Sequence, residues 1–225
     1  MTTSNFVRAA CGAIFASLAL SAMPGCTSTG IAVREKVFGI AKREQLVDRV
    51  KEARDSQEAA KKQFATALDE FIAITNQSGG ELESKYKKLQ KEFDRSKDRA
   101  EDVRERISKV EAVGNSMFRE WAADNEKYSS ENLKREAVRL MNDSRTKFDG
   151  MIDAMRAAEK KMDPVLVAFQ DQVLFLKANL NASAVAGLQG EVSRIQGDVA
   201  RLVQEMQASI DEANQFISQM NKAGT

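Results

Sequence analysis

The groups in these 225 residues that could do chemistry at neutral pH are few: two thiols, Cys11 and Cys26, and no histidine. The commonest general base and the commonest metal ligand are therefore missing. Adjacent acids recur, as in Asp69-Glu70, Glu101-Asp102 and Asp211-Glu212. Paired-carboxylate hydrolysis needs two carboxyls facing one cleft, one of them desolvated. Neighbouring residues on a helix point apart, so these pairs read as solvated surface. There is no G-x-S-x-G elbow and no Walker loop, and Gly79-Gly80 reads as a turn. The sequence thus predicts a non-enzymatic chain with no catalytic residue, no metal site and no cofactor.

Cys26 has a different chemistry. Residues 1–8 carry one basic side chain, Arg8, and no acid, and Ala9 to Met23 form an apolar stretch rich in alanine and leucine. The run Leu20-Ser21-Ala22-Met23-Pro24-Gly25-Cys26 closes it with small residues. This is the pattern of a secretory signal, and it is shorter than the roughly 20 residues needed to span a bilayer. It resembles a bacterial lipoprotein signal, which implies cleavage after Gly25 and acylation of Cys26. Residues 1–25 are accordingly expected to be the signal peptide and 26–41 the lipidated cysteine and a tether. Thr27 stands where an aspartate would retain such a protein at the inner membrane. Its presence points to the outer membrane, with the protein facing the periplasm. Cleavage removes Cys11, and acylation occupies Cys26, so no disulfide is expected.

Cleavage also removes Arg8 from the 34 basic residues, which leaves them balanced against the 33 acidic ones. Nucleic-acid binders concentrate a basic excess on one face or tail. None is present, and nucleic acid is excluded as a partner.

The elements that must carry any site are helices. Leu46, Val50, Ala53, Gln57, Ala60, Phe64, Ala67, Phe71 and Ile74 step by four and three without a break, which is a heptad seam. A second seam runs Leu82, Tyr86, Leu89, Phe93, Ser96, Ala100, Val103, Ile107, Val110, Gly114, Met117, Trp121. The third runs Leu133, Ala137, Leu140, Ser144, Phe148, Met151, Met155, Ala158, Met162, Val165, Phe169, Gln172, Leu176, and the fourth Val185 to Met220. Short turns around residues 76–80, 128–130 and 179–182 separate them. The prediction is an all-α protein: an elongated antiparallel four-helix bundle over residues 42–221, with 222–225 frayed.

Pro164 predicts a kink or break near Met162-Asp163, with Asp163 as a new N-cap. After it, Val165–Phe169 and Val173–Leu176 are apolar nearly all round, which predicts a helix enclosed by protein. The second and third helices are the longest and should project as a two-stranded coil, which offers a route to a homo-oligomer.

Two stretches carry a family resemblance. They are Lys42-Arg43-Glu44-Gln45-Leu46-Val47-Asp48-Arg49-Val50, and Asp171 to Ala182 continuing through Leu188-Gln189-Gly190-Glu191-Val192. Both are similar to the bacterial lipoprotein family called domain of unknown function 2959, over roughly residues 40–220. The resemblance implies an exported helical protein and transfers no catalytic residue.

Two groups are candidate partner contacts: Trp121 with Tyr128, near a turn, and the polar set Gln170, Asp171, Lys177, Asn179 and Asn181 around a very apolar helix. The bland alternative is that the aromatics pack a helix end and the asparagines cap helices. The expected function is a coiled-coil spacer, scaffold or adaptor of the cell envelope. It would be held to the membrane by lipid on Cys26 and act on an unidentified envelope protein. The alternative is binding of a lipid or small ligand inside the bundle, where Ala53, Ala60, Ser96, Ala100 and Gly114 could leave room.

Overall fold

The computed structural model describes residues 28–76 and 82–222, and for residues 28–41 the backbone only. The stretch 1–25 expected as a signal, Cys26, the turn expected at Gly79-Gly80 and residues 223–225 of the expected frayed end lie outside the described residues. Among the described residues there are five helices and no strand: α1 (Ser28–Thr75), α2 (Leu82–Asn125), α3 (Glu131–Ala178), α4 (Ala182–Gln189) and α5 (Val192–Lys222).

The seams form the core. All nine seam residues of α1 are buried, as are those of α2 from Leu89 to Met117 and of α3 from Phe148 to Leu176. In α4 and α5 the seam is buried apart from a half-buried Val192. The methionines at seam positions (Met151, Met155, Met162, Met206 and Met220) fill this core. Helix α1 packs on α2 and α5, and α3 packs on the same two, so the four long helices close a ring.

Cross-helix contacts fix opposite directions. Along α1, Lys42 meets Glu120, Glu52 meets Arg106, Gln63 meets Glu92, and the Ala73 carbonyl accepts from Lys85. Between α2 and α3, Glu111 receives Arg156 through two hydrogen bonds of 3.0 and 2.6 Å, and Arg104 meets Asp163. Against α5, Arg54 meets Asn214 and Lys61 meets Gln207.

Several expectations need correction. The stretch expected to be a tether is helical from Ser28. Isolated glycines such as Gly30 and Gly39 cost about 1 kcal/mol each, which is too little to stop a helix already propagating through good formers. The projecting end is therefore made by the starts of α1 and α3, because α2 ends at Asn125, beside Met141 of α3, and α5 ends at Lys222.

Pro164 does not break α3, which runs unbroken through it. Its neighbours Met162 and Val165 hold the seam with almost no exposure. Asp163 caps nothing and is engaged by Arg104 instead.

The last helix is split at Gly190-Glu191. There the Glu191 N–H donates to the Leu188 carbonyl (3.0 Å), and the Glu191 carbonyl accepts from Ile195 (3.0 Å) to start α5. Two glycines within four residues, Gly187 and Gly190, weaken the helix there. The step from Leu188 to Val192 keeps heptad spacing, so the seam survives the break.

Where helices ended as expected, the caps explain it. The Ser130 hydroxyl accepts from the Leu133 N–H at the start of α3 (3.5 Å), with Glu131 in the first turn. Asn179 closes α3: its N–H donates to the Leu176 carbonyl (3.2 Å) and its side-chain amide to the Phe175 carbonyl (3.1 Å).

Candidate functional site

The candidate contact residues separate to opposite ends of the rod. Trp121 and Tyr128 lie at the α2–α3 end. Gln170, Asp171, Lys177, Asn179 and Asn181 lie on and just after the last turns of α3.

Trp121 is half-buried and stacks on Phe118, with ring centroids 6.1 Å apart and planes 9° apart. It packs the helix end, as the bland alternative had it. Tyr128 is exposed. Beyond it, the first four seam positions of α3 (Leu133, Ala137, Leu140 and Ser144) are exposed or half-buried rather than in the core. The reason is the length of α5, whose last buried seam residue is Met220. The step from Ser144 to Phe148 is a second successive four, a heptad stutter, and it falls where α3 enters the four-helix part.

At the other end, Asn179 serves as a cap, and Gln172 is buried in the seam. Gln170, Asp171 and Lys177 are exposed. Asp171 and Lys177 have no hydrogen bond or ion pair among the described residues, unlike most charges on this protein.

The apolar residues among them correct the sequence reading. Val167, Leu174 and Phe175 on α3, with Leu180 after it, are 41 to 57% exposed, where an enclosed helix was expected. Each long helix of a closed four-membered ring has one inner face. The buried seam Val165, Phe169, Gln172 and Leu176, with Ala168 and Val173 beside it, fills that face, so Val167, Leu174 and Phe175 are left outside it. Sequence reasoning missed this face, although the signal was present: Val167 and Leu174 are one heptad apart and off the seam.

Midway along the rod the core is polar. Ser209 on α5 donates a hydrogen bond (2.9 Å) to Oε1 of Gln57 on α1, both fully buried, while Nε2 of Gln57 has no partner. Small seam residues surround this layer on neighbouring turns: Ala53, Ala60, Ala100, Ala158 and Ala213, all inaccessible to solvent. The space at Gly114 is filled by the Phe148 ring.

The adjacent acids are surface groups. Glu101 and Asp102 pair with Arg104 and Arg99, and Asp211 accepts from Gln207. Among the described residues no three histidines, cysteines or acids converge as metal ligands, and no helix is long and apolar enough to cross a membrane.

Ion pairs tie the rod together and shift its carboxylates. A hydrogen bond from Arg49, joined by Arg106 across the α1–α2 interface, holds Glu52 below its ordinary 4.5. Lys61 does the same for Glu58, Lys87 for Glu83, and Lys109 for Glu105. Across α2 and α3, the hydrogen bonds that Arg156 donates to Glu111 raise the Arg156 pKa, so it stays charged throughout.

A carboxylate whose folded pKa is depressed contributes stability above its unfolded pKa, and that contribution is lost as pH falls through the folded value. The thermal midpoint is therefore expected to be flat from pH 7 to about 5 and to fall below about 4.5. Glu52→Gln should make that fall shallower. An unchanged acid slope in this variant would remove Glu52 from the account.

A search among curated proteins finds no match to this chain. A family model does match, over nearly all of the helical rod. This chain belongs to the family described as protein of unknown function (DUF2959), whose model covers residues 31–220.

Proposed function

We propose that this is a non-enzymatic, lipid-anchored protein of the cell envelope, a helical rod that presents a docking face to another envelope component. In this reading Cys26 carries the lipid and the rod stands on the periplasmic side of the outer membrane. The observation that carries it is the outward apolar face Val167, Leu174, Phe175 and Leu180, edged by the unpaired Asp171 and Lys177. Soluble monomers rarely leave large apolar side chains grouped at heptad spacing without a partner.

The position of the face supports a spacer. It lies beside the Thr75 end of α1, where Gln189 donates to the Thr75 carbonyl (3.0 Å). That is 48 residues from Ser28, or about 70 Å at 1.5 Å per residue. The anchor and the face stand at opposite ends of the rod.

Cys26→Ala is expected to abolish acyl mass on the protein and move it from the membrane to the soluble fraction. A photoreactive residue at Leu174 should trap a discrete protein partner that the same residue at Arg201, about a third of the way along α5, does not. An unchanged membrane fraction and phenotype in Cys26→Ala would defeat the anchor. Equal capture at 174 and 201 would defeat the docking face.

A further inference from the structure

We infer that the tip made by the α2–α3 turn and the start of α3 rests in the headgroup layer of the membrane, with Tyr128 and Leu133 as its contacts. This rests on the lipid anchor proposed above and adds to it an orientation.

The first support is reach. Helix α1 begins at Ser28, two residues after Cys26, and two residues extend at most about 7 Å. No long tether separates the rod from its anchor, so the end of α1 is held close to the lipid surface.

The second is level. Lys42 of α1 lies beside Glu120 of α2, and Phe118 of α2 lies against Phe148 of α3, centroids 5.5 Å apart. From that level, α1 rises 14 residues back to Ser28 and α3 rises 15 residues back to Leu133. At 1.5 Å per residue both climbs are about 21 to 23 Å. Leu133 therefore stands at about the height of Ser28, with Tyr128 in the turn that climbs to it from the end of α2, and whatever surface holds Ser28 meets the start of α3.

The third is what the tip exposes. Tyr128, Leu133 and Leu140 are the exposed large apolar residues at this end of the described chain, with Leu133 the most exposed of all at 59%. Tyrosine has an apolar ring and a polar end, which suits the boundary between acyl chains and water.

Most charges here are matched within the protein, and of the others Glu131 is acidic and Arg135, which donates to Asn132, is basic, so no excess of positive charge is left. Lys127 pairs with Asp124, Lys134 with Glu126, and Arg139 with Glu136 and Asp143. Apolar contact rather than attraction to anionic lipid must then hold the tip. So small an area orients a chain already anchored and does not recruit a free one. With the tip down, the face at Val167 and Leu174 is turned away from the membrane.

The test uses the full acylated chain in vesicles, with a photoreactive residue at Tyr128, at Leu133 or at the control position Arg201. Acylation of Cys26 is read by mass on the same samples. Lipid adducts at 128 and 133 are expected to exceed those at 201 by at least about five-fold. The excess should be the same in pure phosphatidylcholine as in phosphatidylethanolamine with phosphatidylglycerol. Equal labelling at the three positions on an acylated chain overturns the inference and leaves the anchor standing. An excess confined to anionic vesicles, or protein adducts in place of lipid at 128, overturns it too. A chain recovered unacylated in the supernatant removes the anchor and this inference together.

Discussion

Gly114→Ala is expected to lower the unfolding free energy by about 3 kcal/mol, the upper end of the usual range for overpacking a core. A Cβ at this position would lie 2.2 and 2.4 Å from two ring carbons of Phe148. Real side chains do not approach so closely, so something must move. The ring is poorly placed to do so. Phe118 and Phe216 flank it at centroid distances of 5.5 and 6.0 Å, and the Arg145 guanidinium lies 5.6 Å from its centre. Phe148→Ala removes the ring altogether and should cost about 3–5 kcal/mol by leaving a cavity. The pair is therefore strongly non-additive: a smaller residue at 148, as in Phe148→Leu, should recover part of the loss caused by Gly114→Ala. Urea denaturation of the two single variants and the double variant measures this. A Gly114→Ala protein within about 0.5 kcal/mol of the parent would show that the α2–α3 contact is looser than described.

The buried Gln57–Ser209 layer should respond in the opposite sense to two changes made there. Ser209→Ala leaves the Gln57 amide with no partner at either end, since its Nε2 already lacks one. The expected cost is about 1–3 kcal/mol, the desolvation penalty of an orphaned polar group. Gln57→Leu together with Ser209→Ala removes both polar ends and should leave the protein as stable as the parent or more stable. The gain would come with reduced specificity. A polar layer penalises every helix register that misaligns it, whereas Leu against Ala tolerates a slip of one heptad. Denaturation curves for the single and double variants, with the m-value as a readout of uniqueness, test both halves. A double variant less stable than Ser209→Ala alone would sink the argument.

Much of the bundle was legible in its seams, because spacing of four and three over many turns has one economical reading. The nine α1 positions from Leu46 to Ile74 needed nothing beyond periodicity. The Asn179 cap was legible because its side chain acts locally on neighbouring backbone, as the Ser130 hydroxyl does at the start of α3. What periodicity cannot report is where a helix yields to competing terms. Pro164 loses one backbone hydrogen bond, yet the burial of Met162, Val165 and their neighbours outweighs that loss and keeps α3 whole. At Gly190 no such burial opposes the break, because the seam passes it undisturbed. The start of α1 at Ser28 reflects propagation from a long helix, a non-local effect invisible in the residues themselves.

The candidate sites were legible only in part. A strongly apolar helix end was evident after Pro164, but its assignment to the interior ignored that a closed ring has one inward face per helix. The exposure of Leu133 and Leu140 depends on where a different helix, α5, runs out. No inspection of α3 by itself contains that information.

The closed ring also dictates the order in which the protein can be finished. Helices α1 and α2 are neighbours in sequence and can zip together as soon as both exist. The pairing of α1 with α5 joins groups as far apart as Arg54 and Asn214, 160 residues along the chain. Until synthesis reaches those last residues, one flank of α1 and one flank of α3 stand greasy and uncovered. Contacts so distant in sequence come late because a long loop must be closed first. A chain stopped near residue 190 would thus remain a sticky three-helix intermediate, open to whatever holdase or aggregate reaches it first.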